Sequence, residues 1–391
     1  MIYTFDSTQS GAPVLSGTAG ALAALLKACL VDGFGAGAVS SLVVTGGVAK
    51  LAYAGVHPLK VGSVARIAGA TPAGLNGDKV ITSVTANSAS FAASGIADGT
   101  ATGTVTSRVA PAGWQVLFPG SLTDVLVLKP SVVEATGCML RVDDTGTTQG
   151  RVVGYESMSD ASTGTGAFPT AAQVSGGMYW PKSTGSDSSA RAWTLIADER
   201  AMMLLLSPQP SYQSQGVLVS FGDFVSAKSV DGYACMLTGC DSSGISSSSW
   251  IRGCLGFGSG QGTPALAYVA RSASALGGAQ LVVKTAAYNT AEGYSGSVTG
   301  YTGFQVPYPN AADNSLRISA VELMLGSEGF RGVVPGVYHS VQRIGTSLGT
   351  GDVIAGTGVN TGRVFRALSV GPTASSSGVG VVFVDTTGPW R

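Results

Sequence analysis

Ser41-Leu42-Val43-Val44, Ser63-Val64-Ala65-Arg66-Ile67-Ala68, Lys79-Val80-Ile81-Thr82-Ser83-Val84 and Ser88-Ala89-Ser90-Phe91 lie close together within Ala38 to Arg108. Successive side chains of a strand point to opposite faces, so this period-two character predicts strands with one covered face. Turn residues bound the runs, at Val61-Gly62 and at Leu75-Asn76-Gly77. Asn-Gly most readily supplies the two positive φ angles of a tight hairpin, so Asn76-Gly77 predicts one. The stretch predicts a small, nearly uncharged β module, a structural or adhesive part with no evident place for chemistry.

Beyond Ala110 the same kind of signal continues. Asp124-Val125-Leu126-Val127-Leu128, Gly150-Arg151-Val152-Val153-Gly154-Tyr155, Ala192-Trp193-Thr194-Leu195-Ile196-Ala197, Gly216-Val217-Leu218-Val219-Ser220-Phe221 and Val379-Gly380-Val381-Val382-Phe383-Val384 are short apolar runs between turn residues. Such spacing predicts a sandwich or an elaborated barrel and not alternating β-α units. Arg200-Ala201-Met202-Met203-Leu204-Leu205-Leu206 has helical propensity, but its shortness and its position after an Asp198-Glu199-Arg200 turn predict a buried strand. Pro111 and Gly113 punctuate a junction near Val109 to Gly113. The Ser/Gly clusters Asp241 to Ser249 and Gly256 to Gly262 read as exposed loops.

Ahead of the module, Ala19 to Val31 predicts one amphipathic helix. Leu22, Leu25, Leu26, Cys29 and Leu30 form a stripe at helical spacing, to be covered by a sheet or by a partner subunit. Ser16 or Thr18 is placed to cap its start and Asp32-Gly33 to end it. Lys27 interrupts the stretch, which falls short of the roughly 20 apolar residues that a membrane helix needs. Met1 to Asp6 lacks the basic start of a signal peptide. The expected organisation is an N-terminal segment with one helix over residues 1–37, a small β-barrel module over 38–109, and a larger antiparallel, sandwich-like or elaborated-barrel domain over 110–391.

Charge is scarce. Charged residues make up 11% of the 391, and 22 basic residues cancel 22 acidic ones, where about 25% charged is usual. A freely circulating protein with so little charge is poorly protected against association, so the composition predicts contact with neighbouring subunits or a surface of small side chains. The 57 glycines suit tight turns and close backbone approach, without the every-third-residue period of a collagen helix. Zero net charge and the lack of a basic run leave no footprint for a polyanion.

Candidate chemistry is thin. The two histidines, His57 and His339, are the only bases for a Ser-His-Asp arrangement, and Gly293-Tyr294-Ser295-Gly296 is half of a nucleophile elbow. Asp143, Asp144, Glu156, Asp160, Asp198, Glu199, Asp223 and Asp231 are available as paired carboxylates for glycoside cleavage, with Tyr179, Trp180 and Trp193 as sugar platforms. Acids at β-turns more often satisfy backbone amides. Asp143-Asp144-Thr145-Gly146 lacks the alternating ligands of a calcium loop. Gly256, Gly258, Gly260 and Gly262 lack the following Lys-Ser/Thr of a phosphate loop. The five cysteines, Cys29, Cys138, Cys235, Cys240 and Cys254, have no zinc-like spacing and read as reduced, buried fillers. No catalytic, cofactor or metal residue is therefore assigned.

The run His57-Pro58-Leu59-Lys60-Val61-Gly62-Ser63-Val64-Ala65-Arg66-Ile67-Ala68-Gly69, followed by Leu75-Asn76-Gly77 and Val80-Ile81-Thr82-Ser83-Val84, resembles a β-barrel module of many tailed-phage virion proteins. Pro58 stands where that module usually has glycine, and Ser63 where it has aspartate. Leu140 to Gly146, Gly177 to Lys182 and Thr387-Gly388-Pro389-Trp390-Arg391 are similar to a family of phage virion structural proteins. The resemblance implies a non-enzymatic virion component, made in the bacterial host cytoplasm, that assembles in many copies with itself and with other virion proteins. A tail or baseplate position is expected, with a capsid-exterior decoration protein and a host-glycan receptor-binding protein or depolymerase as alternatives. Neither nucleic acid nor membrane is an expected partner, and Trp390 is expected to anchor in a neighbour's pocket.

Overall fold

In the computed structural model, residues 1–240, 266–285, 306–326, 328–340, 342–344, 347–370 and 380–391 are described. They are mainly β, arranged in large antiparallel sheets, with one short α-helix near the N-terminus. Cys254, the Gly293-Tyr294-Ser295-Gly296 motif and both Ser/Gly clusters lie outside the described residues.

An eight-stranded sheet is built wholly from strands between Phe34 and Val109, in the order Phe34–Ala38, Thr106–Val109, Val64–Ala68, Gly77–Thr85, Ser88–Ala92, Val48–Ala52, Ser41–Thr45, Gly99–Thr100. Phe34–Ala38 runs on into Ser41–Thr45, so the circuit of pairings returns to a single segment and closes as a small barrel. Leu42, Val44, Ile67, Ala89 and Phe91 are buried, as the alternation predicts, and so are Ala49 and Leu51; in Gly77–Thr85, Ile81 is buried while Val80 and Val84 are exposed. The Asn76-Gly77 expectation is corrected. Asn76 keeps φ −78°, and only Gly77 is left-handed, at 91°. The connection spans residues 69–76, too long for a two-residue turn, and the Asn76 amide instead grips Ala70. Its Oδ1 accepts the Ala70 N–H at 2.9 Å and its Nδ2 donates to the Ala70 carbonyl at 2.8 Å. Two-residue hairpins fall instead at Gly46-Gly47, with φ 58° and 76°, between Ser41–Thr45 and Val48–Ala52, and at Ala86-Asn87, between Gly77–Thr85 and Ser88–Ala92.

The remaining described strands form a five-stranded meander, a larger sheet of thirteen strands and two two-stranded ribbons. The meander is Trp114–Leu117, Val125–Pro130, Met139–Asp143, Gln149–Tyr155 and Met178–Pro181. In the larger sheet, pairing passes from Val217–Asp223 through Cys235–Gly239, Leu266–Val269, Gln280–Thr285, Ile318–Leu325 and Gly329–Ser340. That last strand pairs in turn with Val225–Ser226, which follows Val217–Asp223 directly, so this part also closes on itself. Ala201–Leu206 is a strand in which every residue is buried, covered on both faces. The N-terminal strand Tyr3–Asp6 joins the larger sheet beside Trp193–Ala197.

The helix Ala21–Lys27 continues into a wider π-helical turn, Ala28–Asp32, that ends at Gly33 with φ 75°. Leu22, Leu25, Leu26, Cys29 and Leu30 are wholly buried within this chain. They join one continuous apolar core that also takes in the small barrel, the meander and the larger sheet. No helix among the described residues is long and apolar enough to cross a membrane.

Candidate functional site

The cap of the helix is not Ser16 or Thr18, whose hydroxyls bond to each other at 2.8 Å. Gly20 occupies the N-cap with φ 76° and brings no side chain, so the free N–H groups need an acceptor from elsewhere. Asp144 supplies it, 122 positions away from Leu22: its Oδ2 accepts from Leu22 N at 2.7 Å and from Ala23 N at 3.1 Å. Lys182 Nζ donates to the other oxygen of Asp144 and, at 2.6 Å, to the carbonyl of Thr18. Both charged side chains are fully buried. Burial pushes the Asp144 carboxyl above its usual range, against the opposing pull of Lys182 and the two helix amides.

The other acids are also engaged in holding the chain together. Asp143 accepts the Thr145 hydroxyl at 2.8 Å and pairs with Arg141 at 3.2 Å. Asp160 closes a local turn by accepting Ser162 N and Thr163 N at 2.7 and 2.9 Å. Arg271 grips both oxygens of Glu156, at 2.5 and 2.7 Å. Asp231 takes Ser226 Oγ at 2.6 Å and the buried Arg331 guanidinium. Glu199 lies 3.8 Å from the amino group of Met1.

Asp198 and Asp223 are the two acids that share partners. Arg391 donates to the Asp198 carboxylate and, at 2.6 Å, to the Asp223 carbonyl, while Arg200 Nε reaches the Asp223 carboxylate at 2.9 Å. Thr136 donates to Asp223 from its hydroxyl at 2.6 Å and from its backbone at 3.1 Å. Two arginines thus occupy the oxygens that acid-base work would need free.

The aromatic candidates present no sugar platform. Trp180 is 0% and Trp193 2% exposed. Their indole N–H groups donate to the carbonyls of Thr238 at 2.7 Å and Pro13 at 3.1 Å. The Tyr179 ring is covered by the Arg151 guanidinium, 3.7 Å from its centroid. Trp390 is anchored in its own chain and not in a neighbour's pocket. It is 7% exposed, its indole donates to the Asp385 carbonyl at 2.8 Å, and it packs against Gly336.

The histidines are apart in the fold. His57 is buried in the small barrel, where Nδ1 accepts the Leu59 N–H at 3.2 Å and Nε2 faces the carbonyls of Thr85 and Ser88 at 3.0 and 3.1 Å. His339 lies buried in Gly329–Ser340, and burial pushes its pKa down. Cys29, Cys138 and Cys235 are buried free thiols, and Cys240 is buried as well. Among the described residues, no group of three or more His, Cys, Asp or Glu side chains is placed to hold a metal ion.

Lys182 and Arg391 are central to these ties. Their partners lie far away in the chain, so local spacing offers no signal for them. A scan of protein-family models finds none that matches this sequence, and a search of the curated proteins finds no match.

Proposed function

We propose that the chain is a non-enzymatic structural component of a tailed-bacteriophage virion, associated with the tail or baseplate and acting through multi-copy assembly. The observation that carries the assembly reading is a charge-poor chain whose candidate acids are engaged internally while single apolar side chains stand at the surface. Val56 is 81% exposed, Val133 91% and Val359 100%. With so little charge, copies of the chain repel one another weakly, which favours association over free circulation. The phage assignment and the tail position rest on the resemblance of the His57 to Val84 stretch to a tailed-phage module, an analogy of fold.

Immunogold labelling of intact virions with an antibody to this chain tests the reading. Gold at the tail or its tip is expected. Gold spread over the head overturns the tail position in favour of capsid decoration, and unlabelled particles overturn the virion assignment.

A further inference from the structure

Two buried thiols meet at the seam between the meander and the larger sheet. Cys138 immediately precedes the meander strand Met139–Asp143, and Cys235 opens the strand Cys235–Gly239 of the larger sheet. Thr136, two residues before Cys138, is bonded through both its hydroxyl and its backbone N–H to Asp223. Asp223 is in turn the cross-strand partner of Cys235. This chain of contacts sets the Cys138 and Cys235 side chains close to one another at the seam, with the Thr136 side chain beside them. Both thiols are free, and they are 3% and 1% exposed.

We propose that Cys138 and Cys235 are an oxidisable dithiol, a modification site that a small disulfide converts into a covalent link between the two sheets. One cysteine sulfur attacks the reagent disulfide and releases one reagent thiol. The second cysteine sulfur then displaces the reagent from the mixed disulfide and releases the other. The two cysteines lose two protons and two electrons, and the reagent disulfide leaves as two thiols. Burial, which pushes the Cys235 thiol well up, keeps the pair inert until the seam opens. The inference does not depend on the virion reading, although a particle leaving a reducing cell enters surroundings where such an oxidant persists.

The test incubates the purified full-length protein with oxidised glutathione, once in buffer and once in urea below the unfolding transition. The chain is then unfolded, alkylated with iodoacetamide and digested without reduction. The expected result is a loss of two alkylatable thiols and a crosslinked peptide joining Cys138 to Cys235. Dithiothreitol reverses the link, and the oxidised protein unfolds at higher urea. Cys138→Ser and Cys235→Ser each abolish the crosslink and the oxidant-dependent shift. Alkylation of both Cys138 and Cys235 under both conditions overturns the proposal, as does a crosslink that pairs either thiol with another cysteine. The wild-type peptide map decides the matter even if a variant fails to fold.

Discussion

Asp6 and Arg366 are 360 positions apart, yet Arg366 Nη2 donates to Asp6 Oδ2 at 3.1 Å. The other oxygen of Asp6 accepts Lys60 Nζ of the small barrel at 2.7 Å. One buried carboxylate therefore ties the first strand, the barrel and a strand near the C-terminus. Burial alone would raise its pKa, but hydrogen bonds from Lys60 and Thr8, with the charges of Lys60 and Arg366, hold it at about 2 against an ordinary 3.8. The depressed folded value means stability that is present above pH 3.8 and lost as the pH falls towards 2. The loss amounts to about 2 kcal/mol. Urea unfolding of the wild type should weaken across that window more than that of Asp6→Asn. Parallel curves for the two proteins would show that Asp6 carries no such linkage.

Lys182 and Asp144 are a case where breaking one partner should cost more than removing both. Lys182→Met leaves the Asp144 carboxylate fully buried with only the helix amides for company, and should destabilise by about 3–5 kcal/mol. Asp144→Asn combined with Lys182→Met removes both charges, keeps an acceptor near Leu22 and Ala23, and should recover part of that loss. Equilibrium denaturation of the single and double variants measures the coupling. Strict additivity would mean that the pair does not act as a unit.

Legibility in the sequence followed burial geometry. Ser63 to Ala68 alternates because one face is covered, and the Leu22 to Leu30 stripe repeats because a helix turns one side to the core, so both elements leave a periodic trace. Ala201–Leu206 is covered on both faces, so its pattern is uniform, and its length and its place after a turn, not its period, distinguish strand from helix. Asp144 as the helix cap and the junction of Asp198, Asp223, Arg200 and Arg391 left no trace. Each joins segments that become neighbours only when the sheets stack, and a charge pair carries no period. Tyr179 and Trp180 read as core more readily than as a platform by residue type; covering by other segments makes Trp180 and Trp193 core, and Tyr179 is half-buried under the Arg151 guanidinium.

Asn76 shows how identity misleads where context decides. Its side chain makes two hydrogen bonds to the backbone of Ala70, at 2.9 and 2.8 Å, and its own backbone is not left-handed. Asn76→Ala removes both bonds and should destabilise by about 1–3 kcal/mol, whereas Asn76→Gly should offer no relief, since no positive φ is required there. Were the glycine variant as stable as the wild type, the side-chain grip would carry no weight.

Trp390 closes against Gly336, whose φ is 67° and where an added Cβ would sit 2.2 Å from the indole Nε1. The absence of a side chain is what admits the ring, so the two residues form one contact. Trp390→Ala empties a buried site and strands the Asp385 carbonyl, a loss of about 3–5 kcal/mol. Gly336→Ala attacks the same contact from the other side, with backbone strain added. Because the contact is internal, both losses should appear in urea unfolding of the dilute, unassembled chain and should not depend on protein concentration. A cost that grows with concentration would instead return Trp390 to a pocket on a neighbouring subunit.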